Sequence, residues 1–356
     1  MPTLTTTHRR LTVETGLGLL LGAGLSYMSA QRGWGASSII AFEVVLADGS
    51  IVTASETQNA DLWEALKGGG NNFGIVTSYI VQTYPQGDVW GGNLAFIRTP
   101  STDEKLLQAV RDFTEYNKDD KAAIIVTAER AQVNLVDSWI IFLFYDGPEA
   151  PAGTFDNFTS IGPILNTARR RTYADLMKWS NWVVLPGVNV QIGTETIPAP
   201  SKEHAAEVLG SIHAHWRNQT DKVLLIPGIV ASIAYQPFPR RICEAARQRS
   251  PDLLDCDADA DRMILEFNAM FLSPLDYAKM EGVMQAEYEG VRQRVLDFQA
   301  QGKLPDVHLP LIMNYGFYKQ DYYGRLKPEK RALARSVAQR VDPNGLFKTR
   351  TGGWKP

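Results

Sequence analysis

The alternation of apolar and polar positions lays out the elements of this chain. From Ile39 onward, Ile40, Phe42, Val44 and Leu46 alternate with Ala41, Glu43, Val45 and Ala47, the two-residue period of a strand. Asp48-Gly49 follows, and Ile51-Val52-Thr53-Ala54 resumes the apolar run, so this segment predicts a β-hairpin turning at Asp-Gly. Leu62, Trp63 and Leu66 predict a short helix, capped by Asn59 and ended by Gly68. A further strand signal runs from Ile75 to Tyr84 and stops at Pro85. Beyond Gln86 the pattern changes. Leu106, Leu107, Val110 and Phe113 share one face of a helix predicted over 105–116. The run from Trp139 to Tyr145 has the length and content of a buried strand. Ala205, Val208, Leu209, Ile212 and Trp216 recur at helical spacing behind a Ser201 cap. Met263 to Phe271 reads as a strand, with a helix from about Pro274. The stretch LPLIMNYGFYKQDYYGRL is loop-like and aromatic. After it, Pro328 opens a helix with Leu333, Val337 and Val341 on one face, closed by a turn at Asp342-Pro-Asn-Gly345.

Strands, a helix and strands, followed by mixed elements without an internal repeat, predict an α+β protein of two lobes. The chain of 356 residues is long enough for both. A net charge of −3 gives no electrostatic footprint for nucleic acid or an anionic membrane, and Arg169-Arg170-Arg171 reads as a solvated helix end or loop. The start, MPTLTTTHRRL, is positively charged, but the apolar run after it is short and glycine-rich. It reads as neither a signal peptide nor a membrane span, and the chain reads as soluble. Cys243 and Cys256 either close a small loop or stay free. His213 and His215, two apart on a helix, point to different sides, and with no HExxH motif no metal site is expected. Gly16, Gly18 and Gly22 miss the dinucleotide spacing, and neither a Walker loop nor a GxSxG elbow is present. Taken alone, the glycines of 16–24 read as close packing and bends, and those of 68–74 as a positive-φ turn before a strand.

The stretches LLLGAGLSYMSAQRGWG, IIAFEVVLADGSIVTAS and DLWEALKGGGNNFGIVTSY follow one another early in the chain. Together they resemble the second half of the flavin domain in FAD-linked oxidases related to berberine bridge enzyme, the vanillyl-alcohol-oxidase or PCMH-type flavin fold. MILEFNAMFLSP resembles that family's substrate lobe, and LIMNYGFYKQDYYGRL with VDPNGLFKTRTGGWKP its closing segment. Fungal members acting on secondary metabolites are the most similar. The resemblance implies a partial PCMH-type FAD-binding domain over 1–85 and a substrate-binding lobe over 86–310, with an antiparallel sheet and flanking helices. A C-terminal segment over 311–356 returns to the flavin domain. It implies an oxidase that moves hydride from a small-molecule substrate to FAD, which oxygen reoxidises.

By the same resemblance Gly22, Gly24, Gly69, Gly70, Asn72, Gly74, Ile75 and Val76 lie along the flavin's phosphates and adenosine, and Asn314 lies near its ring. Glu266, sharing a strand face with Ile264 and Asn268, and Tyr315 are the candidate proton acceptors. Their plainer readings are a solvated carboxylate and a packed tyrosine. The family's first flavin subdomain, with its linking histidine, has no counterpart here, and no cysteine precedes Cys243. Ala23, Ser37-Ser38 and Ile312 also depart from the family pattern. The expectation is therefore FAD held weakly and without a covalent bond, or lost. The surface left by the missing half would be apolar and favour a homodimer. The alternatives are a flavin-independent isomerase or cyclase on the same fold and a non-catalytic truncated paralogue.

Overall fold

A computed structural model describes residues 16–131, 135–180 and 187–356, so the MPTLTTTHRRL segment lies outside it. The first lobe holds helices α1 (Gly16–Leu21) and α2 (Ser29–Arg32), strands β1 (Ile39–Val45) and β2 (Ile51–Ser55), helix α3 (Ala60–Leu66) and strand β3 (Ile75–Val81). The hairpin turns at Asp48-Gly49 as expected, where the Gly49 N–H returns to Leu46. The sheet order is β2-β1-β3. Both pairings are antiparallel. The strict alternation breaks. The β1–β3 register shifts between Ile39 and Ala41, which turns Ile40 outward at 49% exposure while Ile39 and Ala41 are buried. Asn59 precedes α3 in a left-handed conformation, but its side chain bonds Thr53 rather than the helix.

The second lobe begins with β4 (Val89–Ile97) and α4 (Pro100–Tyr116). The Thr99 hydroxyl caps α4 by accepting from the Thr102 N–H at 3.0 Å, with Pro100 in the first turn, so the helix starts earlier than its apolar face suggested. Then come β5 (Ala122–Ala131), β6 (Val136–Tyr145), α5 (Asp156–Thr159), β7 (Leu165–Asn166), β8 (Arg169–Arg171), α6 (Tyr173–Ser180) and β9 (Asn189–Pro198). The three arginines are thus a short strand paired with β4, not a helix end or loop. After α7 (Ala205–Thr220) follow β10 (Val230–Phe238), α8 (Arg240–Arg249), β11 (Arg262–Phe271) and α9 (Tyr277–Ala300). Ser201 opens a turn ahead of α7 instead of capping it; His204 holds the cap position.

The large sheet runs β7-β4-β6-β5-β10-β11-β9, with β8 also on β4, antiparallel at every pairing. One face, including Val126, Tyr235, Leu265 and Phe267, buries against α4, α7 and α9. α9 meets it through Met280, Met284, Tyr288, Val291 and Val295, one apolar stripe at helical spacing. The opposite face points to the first lobe. There Ile264 joins a second core with Phe42, Leu66 and Phe73. Phe238, Ile242 and Leu253 belong to that core too, so packing crosses the expected boundaries at 85 and 310. The tail carries α10 (Pro328–Val341) and α11 (Leu346–Arg350), and Leu311, Tyr322 and Leu326 pack into the first core. Among the described residues no helix is long and apolar enough to cross a membrane.

Cys243 on α8 and Cys256 form a disulfide, 13 residues apart and both buried. It ties down the loop carrying Leu253 and Leu254 beneath α3. Cross-linking so short a loop is worth about 3 kcal/mol through the unfolded chain. Cys243→Ser should therefore lower the urea unfolding free energy by roughly 2–4 kcal/mol, and reduction of the wild type should give a matching drop.

Candidate active site

Two glycine turns meet at the edge of the first lobe. α1 ends at Leu21, and Ala23 (φ 72°) and Gly24 (φ 78°) then take consecutive left-handed conformations. The N–H groups of Gly68 and Gly70 both donate to the Leu21 carbonyl, at 3.0 Å each. The Asn314 side chain spans the first turn, accepting from the Gly24 N–H at 3.3 Å and donating to the Leu19 carbonyl at 3.2 Å. Gly22, Gly24, Gly69, Gly70 and Asn314 are thus brought together.

The need for glycine at several of these positions comes from the chain itself. A Cβ on Gly22 would sit 2.6 Å from the Asn314 amide nitrogen. One on Gly69 would overlap the Ala65 carbonyl and the Phe73 ring, and one on Gly74 would overlap Val44. Asn72 is committed internally: it donates to the Gly69 carbonyl and the Tyr323 hydroxyl, both at 2.9 Å, and accepts from Lys355 at 3.1 Å. Ile75 and Val76 open β3, Ile75 at 61% exposure and Val76 half-buried against the first core.

Leu25, Ser26 and Tyr27 leave the first turn and line a cavity of about 440 Å³ between the lobes, which Gln236 and Tyr315 line from the other side. The β10–β11 register pairs Ala234 with Glu266 and Gln236 with Ile264, so Gln236 and Glu266 are diagonal neighbours on the face toward the first lobe. Gln236 donates to a Glu266 carboxylate oxygen at 2.9 Å and accepts from the Tyr315 hydroxyl at 3.3 Å. Burial pushes Glu266 up to about 7, against the opposing pull of hydrogen bonds from Gln236 and Asn268. Glu266 therefore changes charge near neutrality, and it does not point into bulk solvent.

Tyr315 behaves differently from the expectation. Burial, and then the nearby Glu266 carboxylate, push its hydroxyl well above the ordinary tyrosine range. It is a hydrogen-bond donor near neutral pH, not a base. The resemblance marked Glu266, and the strand period placed it on a face with Ile264 and Asn268. Gln236 was missed because its pairing with Glu266 depends on the β10–β11 register, although a glutamine within Ile233-Ala-Tyr-Gln-Pro237 was the available signal.

A second titrating pair lies under the glycine turns. Lys67 is fully buried 3.1 Å above the Trp63 ring, and its ammonium has no hydrogen-bond partner. Desolvation lowers it to about 7, while Asp252 pulls the other way. Desolvation raises the buried Asp252 to about 6.

No family model matches the chain. Across 340 residues it is 39% identical to an uncharacterized FAD-linked oxidoreductase of Arthroderma benhamiae, covering 95% of this chain and 67% of that protein. Across 348 residues it is 25% identical to an FAD-dependent monooxygenase of Aspergillus calidoustus, covering 95% and 63%. It thus spans about two thirds of the length of these relatives. Among solved structures, 6-hydroxy-D-nicotine oxidase of Arthrobacter nicotinovorans matches with a TM-score of 0.71 at 18% identity, over 93% of this chain and 69% of that one. A berberine bridge enzyme variant matches at 0.63 and 13%, over 95% and 70%. At these identities the structural matches speak for the fold.

Gly22→Ala should destabilise the protein by about 1–3 kcal/mol, the usual cost of overpacking, in thermal or urea unfolding. Gly18→Ala, in α1 with open space around the new methyl, should be neutral or stabilising by up to ~1 kcal/mol. Glu266 binds its proton more tightly folded than unfolded, between its ordinary value of 4.5 and about 7. Its contribution to stability is full below that window and is lost as pH rises through it. In urea unfolding, Glu266→Gln should therefore gain stability relative to wild type between pH 4.5 and 7. A flat difference would show that Glu266 titrates normally.

Proposed function

The chain belongs to the FAD-linked oxidoreductases, and on that premise we propose that it oxidises a small-molecule metabolite at the cavity between its lobes, with Glu266 accepting the substrate's proton. The observation that carries this reading is the chain of hydrogen bonds from Tyr315 and Gln236, at the cavity wall, to Glu266 behind them. It gives a carboxyl titrating near neutrality a fixed orientation, which general base catalysis requires.

The residues fit a flavin. The cavity is bordered on one side by the turn after Gly24 and on the other by Gln236 and Tyr315, with Glu266 hydrogen-bonded behind Gln236, and Asn314 fastens that turn beside Tyr315. The turns at 22–26 and 68–70, with Asn314, would hold the cofactor. When bound, FAD would supply the hydride acceptor.

The chain's own side chains have separable tasks. Gln236 holds one oxygen of Glu266 and leaves the carboxyl's other oxygen for the substrate's O–H, N–H or C–H. Tyr315, protonated throughout the working range, fixes the Gln236 amide so that its nitrogen faces Glu266. Leu25, Tyr27, Ile125 and Met177 keep the cavity wall mostly apolar, which limits water around the carboxyl and sustains its raised pKa.

The test is reconstitution and turnover. Titrated with FAD, the purified chain should quench flavin fluorescence to saturation, and denaturation should release all the flavin. Absence of binding at any FAD concentration would overturn the reading. Turnover should rise with pH through about 7 as Glu266 ionises. Glu266→Gln should lower kcat by ~10²-fold or more. Gln236→Leu removes a hydrogen bond that lowers the Glu266 pKa and should move the midpoint of the profile upward.

A further inference from the structure

The same cavity continues from Gln236 to Arg241 in the first turn of α8. One terminal nitrogen of Arg241 donates to the Asn117 carbonyl at the end of α4, at 2.6 Å. Its Nε is sealed from solvent without a partner. Among the described residues no carboxylate forms an ion pair with it; Asp120, Asp261, Asp119 and Glu244 act only from a distance. Three more deeply buried arginines are matched. Arg111 pairs with Asp112 and Glu115, Arg130 with Asp221, and Arg262 with Asp259. A half-buried guanidinium without a counter-ion, at the wall of a cavity, is a ready partner for an anionic oxygen such as a carboxylate's.

Besides Ser26 and Gln236, the wall is mostly apolar and aromatic, with Tyr27, Ile125, Tyr173, Met177 and Ile242. Tyr27 lies flat on Phe144, with ring centroids 5.0 Å apart, and Tyr173 meets Phe144 edge-on, so the aromatic wall is held in place. The volume of about 440 Å³ falls within the range of small-ligand sites. We infer that this site selects an apolar, ring-bearing carboxylic acid, with its carboxylate on Arg241 and its reacting end toward Tyr315 and Glu266. The inference rests on the proposal that the Tyr315 end is the reaction site.

Calorimetry at pH 8 with 2-naphthoate and 2-naphthamide tests it on the full chain. The wild type should bind the acid at least about tenfold more tightly than the amide, the scale of one charge-assisted hydrogen bond. Arg241→Gln should lose that preference while binding the amide like wild type, which also shows that the variant is folded. Arg241→Lys should keep part of the preference. Equal affinity of the wild type for both probes, binding of neither, or a preference that survives in Arg241→Gln would overturn the inference. The readout needs neither flavin nor turnover. A flavin-free protein that keeps the preference would therefore defeat the oxidoreductase reading alone, and a working flavoprotein indifferent to charge would defeat this inference alone.

Discussion

The ion pair between Arg325 and Glu195 fixes the path of the closing segment, and the candidate site depends on that path. Glu195, 1% exposed on β9, receives both terminal nitrogens of Arg325, at 3.1 and 2.6 Å. Arg325 also donates to the Leu309 carbonyl, at 3.0 Å from Nε and 2.7 Å from a terminal nitrogen. Removing one partner of such a pair costs about 3–5 kcal/mol because the other charge is left buried alone. Nearby, Gln320 closes both backbone groups of Thr194, and Thr196 donates to the Pro310 carbonyl at 2.6 Å. Pinned to the large sheet at both ends, residues 310–325 pass between the lobes. They carry Asn314 to the first glycine turn and Tyr315 to Gln236. The Tyr322 hydroxyl then reaches the Gly68 carbonyl, and the Tyr323 hydroxyl reaches that of Gly69 at 2.8 Å. One strap therefore sets the distance between the glycine turns and the sheet face that carries Glu266.

The chemistry follows from where charge is desolvated. Along β11, Leu265 and Phe267 bury in the helix-side core, and Glu266 and Asn268 face the first lobe. That face is polar enough to hold a carboxylate by hydrogen bonds but too dry to keep it ionised at its ordinary pKa. Lys67 and Asp252 show the same constraint in the first lobe, where the Trp63 ring replaces part of the lost hydration of the ammonium. His213 shows it in the second. Burial lowers the His213 imidazole to about 4 despite Asp103 nearby, so it is neutral and packs against Trp139.

Local periodicity made much of the fold legible. The hairpin at Asp48-Gly49, the buried β6, the α7 stripe and the β11 strand all carry their period in the residues themselves. Ile40 escaped because a register shift is a property of two strands and leaves no mark on one. The helix start at Pro100 and the false cap at Ser201 turned on which hydroxyl meets which N–H, and that is settled by backbone geometry beyond the apolar pattern. In the site, the glycines and Asn314 were legible as a group, through resemblance more than through spacing. Their physical need proved to be packing on Asn314, Phe73 and Val44. Glu266 was legible from the resemblance and from alternation together. Gln236, Arg241 and the protonated state of Tyr315 were not, because each depends on neighbours distant in sequence.

The central claim is that a Glu266 carboxyl, held by Gln236, titrates near neutrality between the lobes. Nuclear magnetic resonance of protein labelled with ¹³C at the glutamate side-chain carboxyl, with the Glu266→Gln variant assigning the signal, measures this without turnover or cofactor. The account predicts a carboxyl resonance that titrates at about 7 and is missing from the variant. A Glu266 resonance titrating near 4.5, the ordinary value for glutamate, would contradict it.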